Sequence, residues 1–421
     1  MNVKTLALTA QEASRKMALL STAAKNGFLI KIARNLASHK KEILTANKED
    51  LEAGKKNNLA QNMLDRLMLN EDRLDDIIRA VENVATLKDY VGEVLDEHER
   101  RDGLQIKRMR VPLGVIAMIY EARPNVTVDS ACLAIKSGNA VILKGGSDAL
   151  HSNRALVKYI QEALEPFNSA AVQLIDSTDR EDTQELLQQK GIIDVIIPRG
   201  GQGLIDFVTQ NATVPVIETG ASVVHIYVDE FADMNKAVPI VINAKLRRTS
   251  ICNALDVLLL HESVAEKFLK KFCNELTHSG KQLEIRADEK SFAILQKISA
   301  KTCELKPASH SDYDTEFLDS ILAIKTVNHL DEAIEHIFRH SQKHSEAIVT
   351  EDAKNAARFL SEVDAACVYH NASTQFSDGG EFGLGAEIGI STQKLHARGP
   401  FALEGLTTYK WVIEGSGQTR N

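Results

Sequence analysis

The sequence predicts an α/β fold with two βαβ, Rossmann-like regions. Three observations carry that prediction. From Val111 to about Asp229, short apolar runs alternate with segments of helical spacing, the pattern of parallel strands joined by crossover helices. A second such alternation runs from Glu230 to about Gly389. The chain's 421 residues suggest roughly two or three domains, with soft boundaries, since no internal repeat or low-complexity linker interrupts it.

Taken in order, residues 1 to about 90 are helical in pattern. Leu29, Ile32, Ala33, Leu36, Ile43 and Leu44 form one apolar stripe, and Leu74, Ile77, Ile78, Val81, Val84 and Ala85 another. Residues 90–109 read as a hairpin, with a charged turn around Arg101-Asp102-Gly103. Such an exposed hairpin must be covered or charged, as a subunit contact or as a decorated loop. The strands expected next are Val115–Ile119, Ala140–Leu143, Val172–Ile175, Val195–Ile197 and Val214–Ile217. The helices expected between them are Val128–Ser137, Ser147–Glu165, Glu181–Gln189 and Leu204–Gln210. In the second region Asp233–Lys245 has apolar residues at Ala237, Ile240, Val241 and Ala244, which is helical spacing, and Asp256–His261 reads as a buried strand. Helices at Val264–Leu276 and Asp331–Phe338 and a strand at Ser345–Val349 follow. The stretch Asn371–Gly389 is glycine-rich and polar, and a loop of that length is functional or mobile. Leu406–Ile413 reads as a terminal strand. The expected domains are 1–229, carrying the hairpin arm, then 230–390, then a return segment at 391–421.

A formal net charge of -8 argues against a nucleic-acid partner. Five cysteines, scattered and in no CxxC pair, fit neither a disulfide framework nor a zinc site and suit a reducing compartment. No long apolar run opens the chain and no stretch has the length of a bilayer span. The expectation is a cytoplasmic protein with no metal.

Cys252 stands in the loop between the Asp233–Lys245 helix and the Asp256–His261 strand. Arg247 and Arg248 lie just upstream, and nearby positive charge favours a thiolate. A small packing residue is the other reading of a lone cysteine. Two glycine loops, Lys144-Gly145-Gly146-Ser147-Asp148 and Pro198-Arg199-Gly200-Gly201-Gln202-Gly203, each follow a strand and precede a helix. That geometry offers backbone N–H groups to an anion; tight turns are the alternative. The ordinary GxGxxG dinucleotide fingerprint is missing.

Cys252 in its loop, Asn125 after Arg123-Pro124, Lys144 after an apolar strand and Glu316-Phe317 downstream together resemble the aldehyde dehydrogenase superfamily. More specific stretches are IYEARPNVTVD from Ile119, LKGGSDA from Leu143, AIEHIFRHSQKHSEAI from Ala333, VYHNAST from Val368, FGLGAEIGISTQKLHARGP from Phe382 and LTTYKW from Leu406. They cover the chain from about residue 110 to its end and resemble the branch that reduces an acyl phosphate, in its form without a fused amino-acid kinase domain. The resemblance implies an aldehyde-dehydrogenase-like fold with a hairpin-and-tail oligomerisation arm. It implies NADPH-dependent reduction of L-glutamyl 5-phosphate to L-glutamate 5-semialdehyde with release of phosphate, the second step of proline biosynthesis. It implies a glutamate kinase supplying the substrate, and a homodimer or dimer of dimers in which hairpin and tail pair across a two-fold interface.

The implied roles follow. Cys252 forms a thioester. Asn125 donates its amide to the oxyanion, unless it caps the helix that follows. Lys144, Gly145, Gly146 and Ser147 touch the adenosine ribose or its phosphate, unless Lys144 is a solvated strand-end lysine. Arg199, Gly200, Gly201 and Gly203 approach the cofactor phosphates or nicotinamide, and Glu316 and Phe317 position the nicotinamide riboside, with surface and core roles as the alternative. Arg123, Arg248, His396 and Arg398 are candidates for the substrate's phosphate or carboxylate, or for structural salt bridges. Glu218 precedes Cys252 by 252 − 218 = 34 residues, the spacing of the deacylating base in hydrolytic relatives; a strand-end carboxylate on solvent is the other reading. Glu218 supports the runner-up activity, an NAD-dependent aldehyde dehydrogenase making an acid. A non-enzymatic nucleotide-binding protein would need Cys252 to be an inert thiol.

Overall fold

The structure is a computed structural model that describes residues 2–220, 222–298 and 303–420. The chain forms two units: Met1–Thr219 with Gly383–Gly389 and Phe401–Asn421, and Gly220–Phe382 with Ile390–Pro400. The first division thus falls at Thr219 and not at 229, because residues just before Asp229 already belong to the second unit's sheet.

The first unit opens with helices α1 (Val3–Met17), α2 (Thr22–Ser38), α3 (Lys40–Lys56), α4 (Gln61–Leu67) and α5 (Glu71–Thr86). The Asn2, Ser21 and Asn70 side chains accept from first-turn N–H groups of α1, α2 and α5, satisfying donors the helix leaves over. The two expected stripes are buried, with only Leu44 partly exposed. Strands β1 (Val94–Glu99) and β2 (Gln105–Pro112) make the expected hairpin. Next come β3 (Val115–Tyr120), α6 (Pro124–Lys136), β4 (Ala140–Gly145), α7 (Leu150–Leu164), β5 (Val172–Leu174), α8 (Arg180–Leu187), β6 (Val195–Arg199) and α9 (Gln202–Asn211). The sheet order is β5-β4-β3-β6, all parallel. Every residue of β3 and β4 is buried, as covering both faces with helices requires. Each such Val, Ile or Leu contributes roughly 1.5–3 kcal/mol. Val214–Ile217 does not become a strand. It makes one bridge, Ile196 to Val216, because Pro215 has no N–H with which to extend a ladder.

The second unit contains β7 (His225–Val228), α10 (Met234–Leu246), β8 (Val257–His261), α11 (Glu262–Ser279), β9 (Leu283–Ala287), α12 (Glu289–Ile298), β10 (Cys303–Pro307), β11 (Ile321–Val327), α13 (Leu330–His340), β12 (Ser345–Val349), α14 (Ala353–Glu362) and β13 (Cys367–His370). Its parallel sheet has the order β10-β9-β11-β8-β7-β12-β13. Strands β8 and β12 match expectation. The others are less legible: β9 and β10 interleave charged residues with apolar ones, and β7 and β13 are four residues each.

A two-stranded sheet, β14 (Gly389–Ser391) with β15 (Gly399–Phe401), precedes the last strand, β16 (Thr407–Glu414). β16 pairs antiparallel with β2 from Thr407 opposite Pro112 to Glu414 opposite Gln105. The pairing of tail and hairpin is therefore made within one chain. Asn139 anchors the start of β16, donating to the Leu406 carbonyl at 2.9 Å while its Oδ1 accepts from Gly114 at 2.7 Å. Tyr409, Trp411 and Ile413 stay half exposed on β16, with the Arg108 guanidinium over both rings at 5.2 and 5.9 Å.

Candidate active site

In the second unit, Cys252 is half-buried in the loop between α10 and β8, and none of the five cysteines is in a disulfide. The others behave as packing thiols. Burial raises the Cys132 thiol, and the neighbouring Cys303 together with burial raises Cys273, so both stay protonated.

The Cys252 loop is held on two sides. On one, the fully buried Ser222 hydroxyl donates to the Cys252 carbonyl and lies 3.0 Å from the Glu316 carboxylate. On the other, the Thr374 hydroxyl donates to the Asn253 carbonyl at 2.8 Å, and the Asn253 amide donates to the Ser377 carbonyl at 2.9 Å. The Gln375 amide donates to the carbonyls of Ala244 at 2.8 Å and Arg248 at 3.2 Å, and its oxygen, Oε1, accepts from Arg247 Nε at 2.9 Å. The opening of the Asn371–Gly389 stretch is thus a buried clamp on the Cys252 loop.

Both ends of the loop rest on a buried ion pair. Lys245, at the end of α10, is fully buried, and its Nζ lies 3.8 Å from Asp256 Oδ1, just before β8. Asp256 also accepts from the backbone N–H groups of Val224 at 3.3 Å and Phe317 at 3.1 Å. Burial pushes Asp256 up to about 7, against the pull of Lys245, and burial lowers Lys245.

The structure brings Cys252 and Glu316 together through Ser222. The Phe317 ring lies 5.1 Å from the Arg286 guanidinium and 5.8 Å from the Lys245 ammonium, a packed position. Arg248 is exposed beside Cys252's loop, and His396 is exposed on the 390–400 segment. Arg398 donates to Asp364 at 2.8 Å, and that bond, helped by Lys394, holds Asp364 at about 2. For Arg398 the salt-bridge reading is the one realised.

In the first unit, the remaining candidates collect at the carboxyl ends of β3, β4 and β6, where parallel sheets receive ligands. Lys144 is buried, not solvated. Its Nζ donates to the Ser177 carbonyl, and burial lowers it against the opposing pull of Asp182, Asp179 and Asp176. Gly145 is required by close approach, since a Cβ there would meet Asn153 Nδ2 at 2.1 Å. Gly146 donates to the Tyr120 carbonyl at 2.8 Å, and Ser147 opens a short turn before α7. Arg199 ends β6, 3.7 Å from Glu387. Gly200 and Gly201 follow, and Gly203 lies in the first turn of α9. The Gly201 N–H already donates to the Glu121 carboxylate at 2.9 Å.

Asn125 does not cap α6. The cap position is Arg123, with Pro124 as the first helical residue. Asn125 is exposed, and its amide donates to Asp129 at 3.1 Å. Just before, Ala122 is held at φ +32, a conformation costing an alanine about 1–2 kcal/mol. Glu218 is half-buried.

The residues that sequence reasoning passed over are Ser222, Lys245, Asp256, Thr374 and Gln375. Their only signal was polar side chains flanking the Cys252 loop for Lys245 and Asp256, at or just after the end of VYHNAST for Thr374 and Gln375, and four residues after Glu218 for Ser222. Among the described residues no cluster of His, Cys, Asp and Glu could hold a metal ion, and no helix is long and apolar enough to cross a membrane.

The model of the aldehyde dehydrogenase family matches residues 1–290. The chain is 50% identical to the gamma-glutamyl phosphate reductase of Caldanaerobacter subterraneus subsp. tengcongensis over 423 residues, 100% of both chains. It is 52% identical to that of Carboxydothermus hydrogenoformans over 420 residues, 99% of each. The crystal structure of gamma-glutamyl phosphate reductase from Thermotoga maritima matches with a TM-score of 0.95 at 49% identity, covering 100% of both chains.

Gln375→Ala would leave two carbonyls and the Arg247 guanidinium without their amide partner. A buried group so stranded costs about 1–3 kcal/mol. The expected result is a lower melting temperature and faster amide hydrogen exchange over residues 247–255, read by mass spectrometry. Unchanged exchange in that segment would refute the clamp.

Proposed function

The chain belongs to the aldehyde dehydrogenase family and within it to the gamma-glutamyl phosphate reductases, and from that premise we infer how its own residues carry the reaction. It reduces L-glutamyl 5-phosphate to L-glutamate 5-semialdehyde with release of phosphate, the second step of proline biosynthesis. The observation that best supports a catalytic Cys252 is its half-buried place on a loop fixed from both sides, with Arg247 and Arg248 beside it. The Cys252 thiolate attacks the acyl carbon. Phosphate departs with the electrons of the C–O bond, leaving a thioester. Asn125 donates to the developing oxyanion, a contribution of about 3–4 kcal/mol for such a donor. NADPH, when bound, supplies the two-electron reduction of the acyl carbon. Collapse of the resulting thiohemiacetal on Cys252 releases the aldehyde.

The residues of the first unit fit that cofactor. Lys144 presents a buried ammonium at the end of β4, Gly145 admits no Cβ, and Gly146 and Ser147 precede a helix. These four would hold the adenosine ribose or its phosphate. Arg199, Gly200, Gly201 and Gly203 would meet the phosphates, and Glu316 the nicotinamide ribose. Phe317 would act mainly through packing, given its place against Arg286 and Lys245. Arg123, Arg248 and His396 would bind the substrate's phosphate or carboxylate; Arg398, engaged by Asp364, would shape the segment that carries His396. A glutamate kinase would supply the acyl phosphate, in the cytoplasm. The runner-up, an NAD-dependent aldehyde dehydrogenase, is not favoured by full-length relatives that share half their residues with this chain and carry the reductase name.

The deciding assay is NADPH oxidation with enzymatically generated glutamyl phosphate, beside NADH. Cys252→Ser should lose turnover by several orders of magnitude, as removal of a nucleophile does, and keep its fold and cofactor binding. Appreciable reductase activity in that variant would overturn the thioester.

Glu218→Gln should leave both phosphate-dependent reduction and the slow release of free glutamate unchanged, since water at the thioester would waste the activated acyl group. Glutamyl phosphate without NADPH tests this directly. Fast glutamate release that Glu218→Gln abolishes would make Glu218 a general base.

The half-exposed Tyr409, Trp411 and Ile413 suit a contact with a second copy, in a homodimer or dimer of dimers. Light scattering should give at least a dimer. A fully active monomer would contradict it.

A further inference from the structure

Asn125 and Asp129 lie one turn apart on α6 and so share a face of the helix. Asn125 is exposed at the helix start; Asp129 is half-buried beneath it and accepts from Asn125 Nδ2 at 3.1 Å. The groups facing Asp129 are the Arg199 guanidinium from the end of β6 and the buried Cys132 further along α6; Glu387 lies on Arg199 at 3.7 Å. Arg199 is attractive, so a carboxylate is accommodated there.

A carboxamide presents two N–H groups on one side and a carbonyl oxygen on the other, and nothing in its shape distinguishes the two flips. An ionised carboxylate does, because it accepts and cannot donate. With Asp129 ionised, the Asn125 nitrogen is turned toward it, one N–H is engaged, and the second remains for another acceptor. In the opposite flip a carbonyl oxygen would stand where that second N–H stood and would repel an oxyanion.

We propose that Asp129 is a positioning residue that selects the flip of Asn125 in which an N–H faces the oxyanion of acyl transfer. The inference rests on the reading of Asn125 as the oxyanion donor. It implies a pH dependence. Burial raises Asp129 to about 6, against the pull of Asn125 and Arg199. Below that value the protonated acid can donate, and the selection is lost. The native state holds this proton more readily than the unfolded chain, so between about 6 and the ordinary value of 3.8 this group's contribution to stability rises as pH falls. Loss of activity through Asp129 therefore runs opposite to loss of fold.

The test is the pH profile of kcat and KM in the reverse direction, phosphate-dependent oxidation of the semialdehyde with NADP+, where no coupled kinase adds its own pH dependence. Wild-type kcat should show an acid limb centred near 6, and Asp129→Asn should lack it. Removing an oxyanion donor costs about 10²–10³ in kcat, and that is expected of Asn125→Ala. Asp129→Ala should lower kcat by about ten- to a hundred-fold with KM changed by less than about twofold. In an Asn125→Ala background it should change kcat by less than about twofold, because its action passes through Asn125. Asp129→Ala with full effect in that background, or an acid limb retained in Asp129→Asn, would overturn the proposal. A kcat lost in Asn125→Ala but kept in Asp129→Ala would remove the proposal alone. An Asn125→Ala enzyme with wild-type kcat would remove the reading of Asn125 and the proposal with it.

Discussion

The Asp256 carboxylate is the point on which the second unit's site depends. It lies buried between three segments: the end of α10 through Lys245, the approach to β7 through the Val224 N–H, and the Glu316-Phe317 segment through the Phe317 N–H. Burying two opposite charges costs several kcal/mol each, and only good geometry with further hydrogen bonds offsets it. Here the carboxylate has two backbone donors, whereas the Lys245 Nζ has no hydrogen-bond partner among the described residues. The pair adds little net stability. Its effect is positional: once Asp256 is seated, the flanks of the Cys252 loop have one arrangement in which the buried charge is compensated.

The loop between those flanks is then shaped by neutral groups. Ser222, Thr374, Gln375 and Asn253 satisfy its backbone without adding charge. Arg247 and Arg248, five and four residues before Cys252, are both exposed, and Arg247 is the one tied to the clamp, donating to Gln375.

The first unit treats charge differently. Lys144 is buried with a backbone carbonyl as partner and three aspartates at longer range. The Glu121 carboxylate lies on the Gly201 N–H, and Asp129 faces both Asn125 and Arg199. Positive and negative groups are thus interleaved around the carboxyl ends of these strands, each with an internal partner.

The strands that could be read from the sequence were those buried on both faces, because helices on both sides demand continuous apolar runs such as Val115–Ile119 and Ala140–Leu143. The strands that escaped were short or carried charges, as in β9 and β10, where neighbours in the sheet and not composition impose the extended form. Val214–Ile217 misled for a local reason, the missing N–H of Pro215. Cys252 and the glycine loops were visible because their chemistry depends on residue type in a loop between packed elements, and Asn125 only through the family resemblance. Their partners were not. Whether Lys144 is solvated or buried, whether Arg398 meets a ligand or Asp364, and whether Asn125 caps a helix or leans on Asp129 are decided by contacts 33, 34 and 4 residues apart along the chain. Sequence by itself determined the strands buried on both faces and the candidate reactive groups, since these follow from local periodicity and side-chain chemistry. Tertiary structure alone decided which buried charge is compensated by which partner, because compensation acts over a few ångströms of space and is indifferent to distance along the chain.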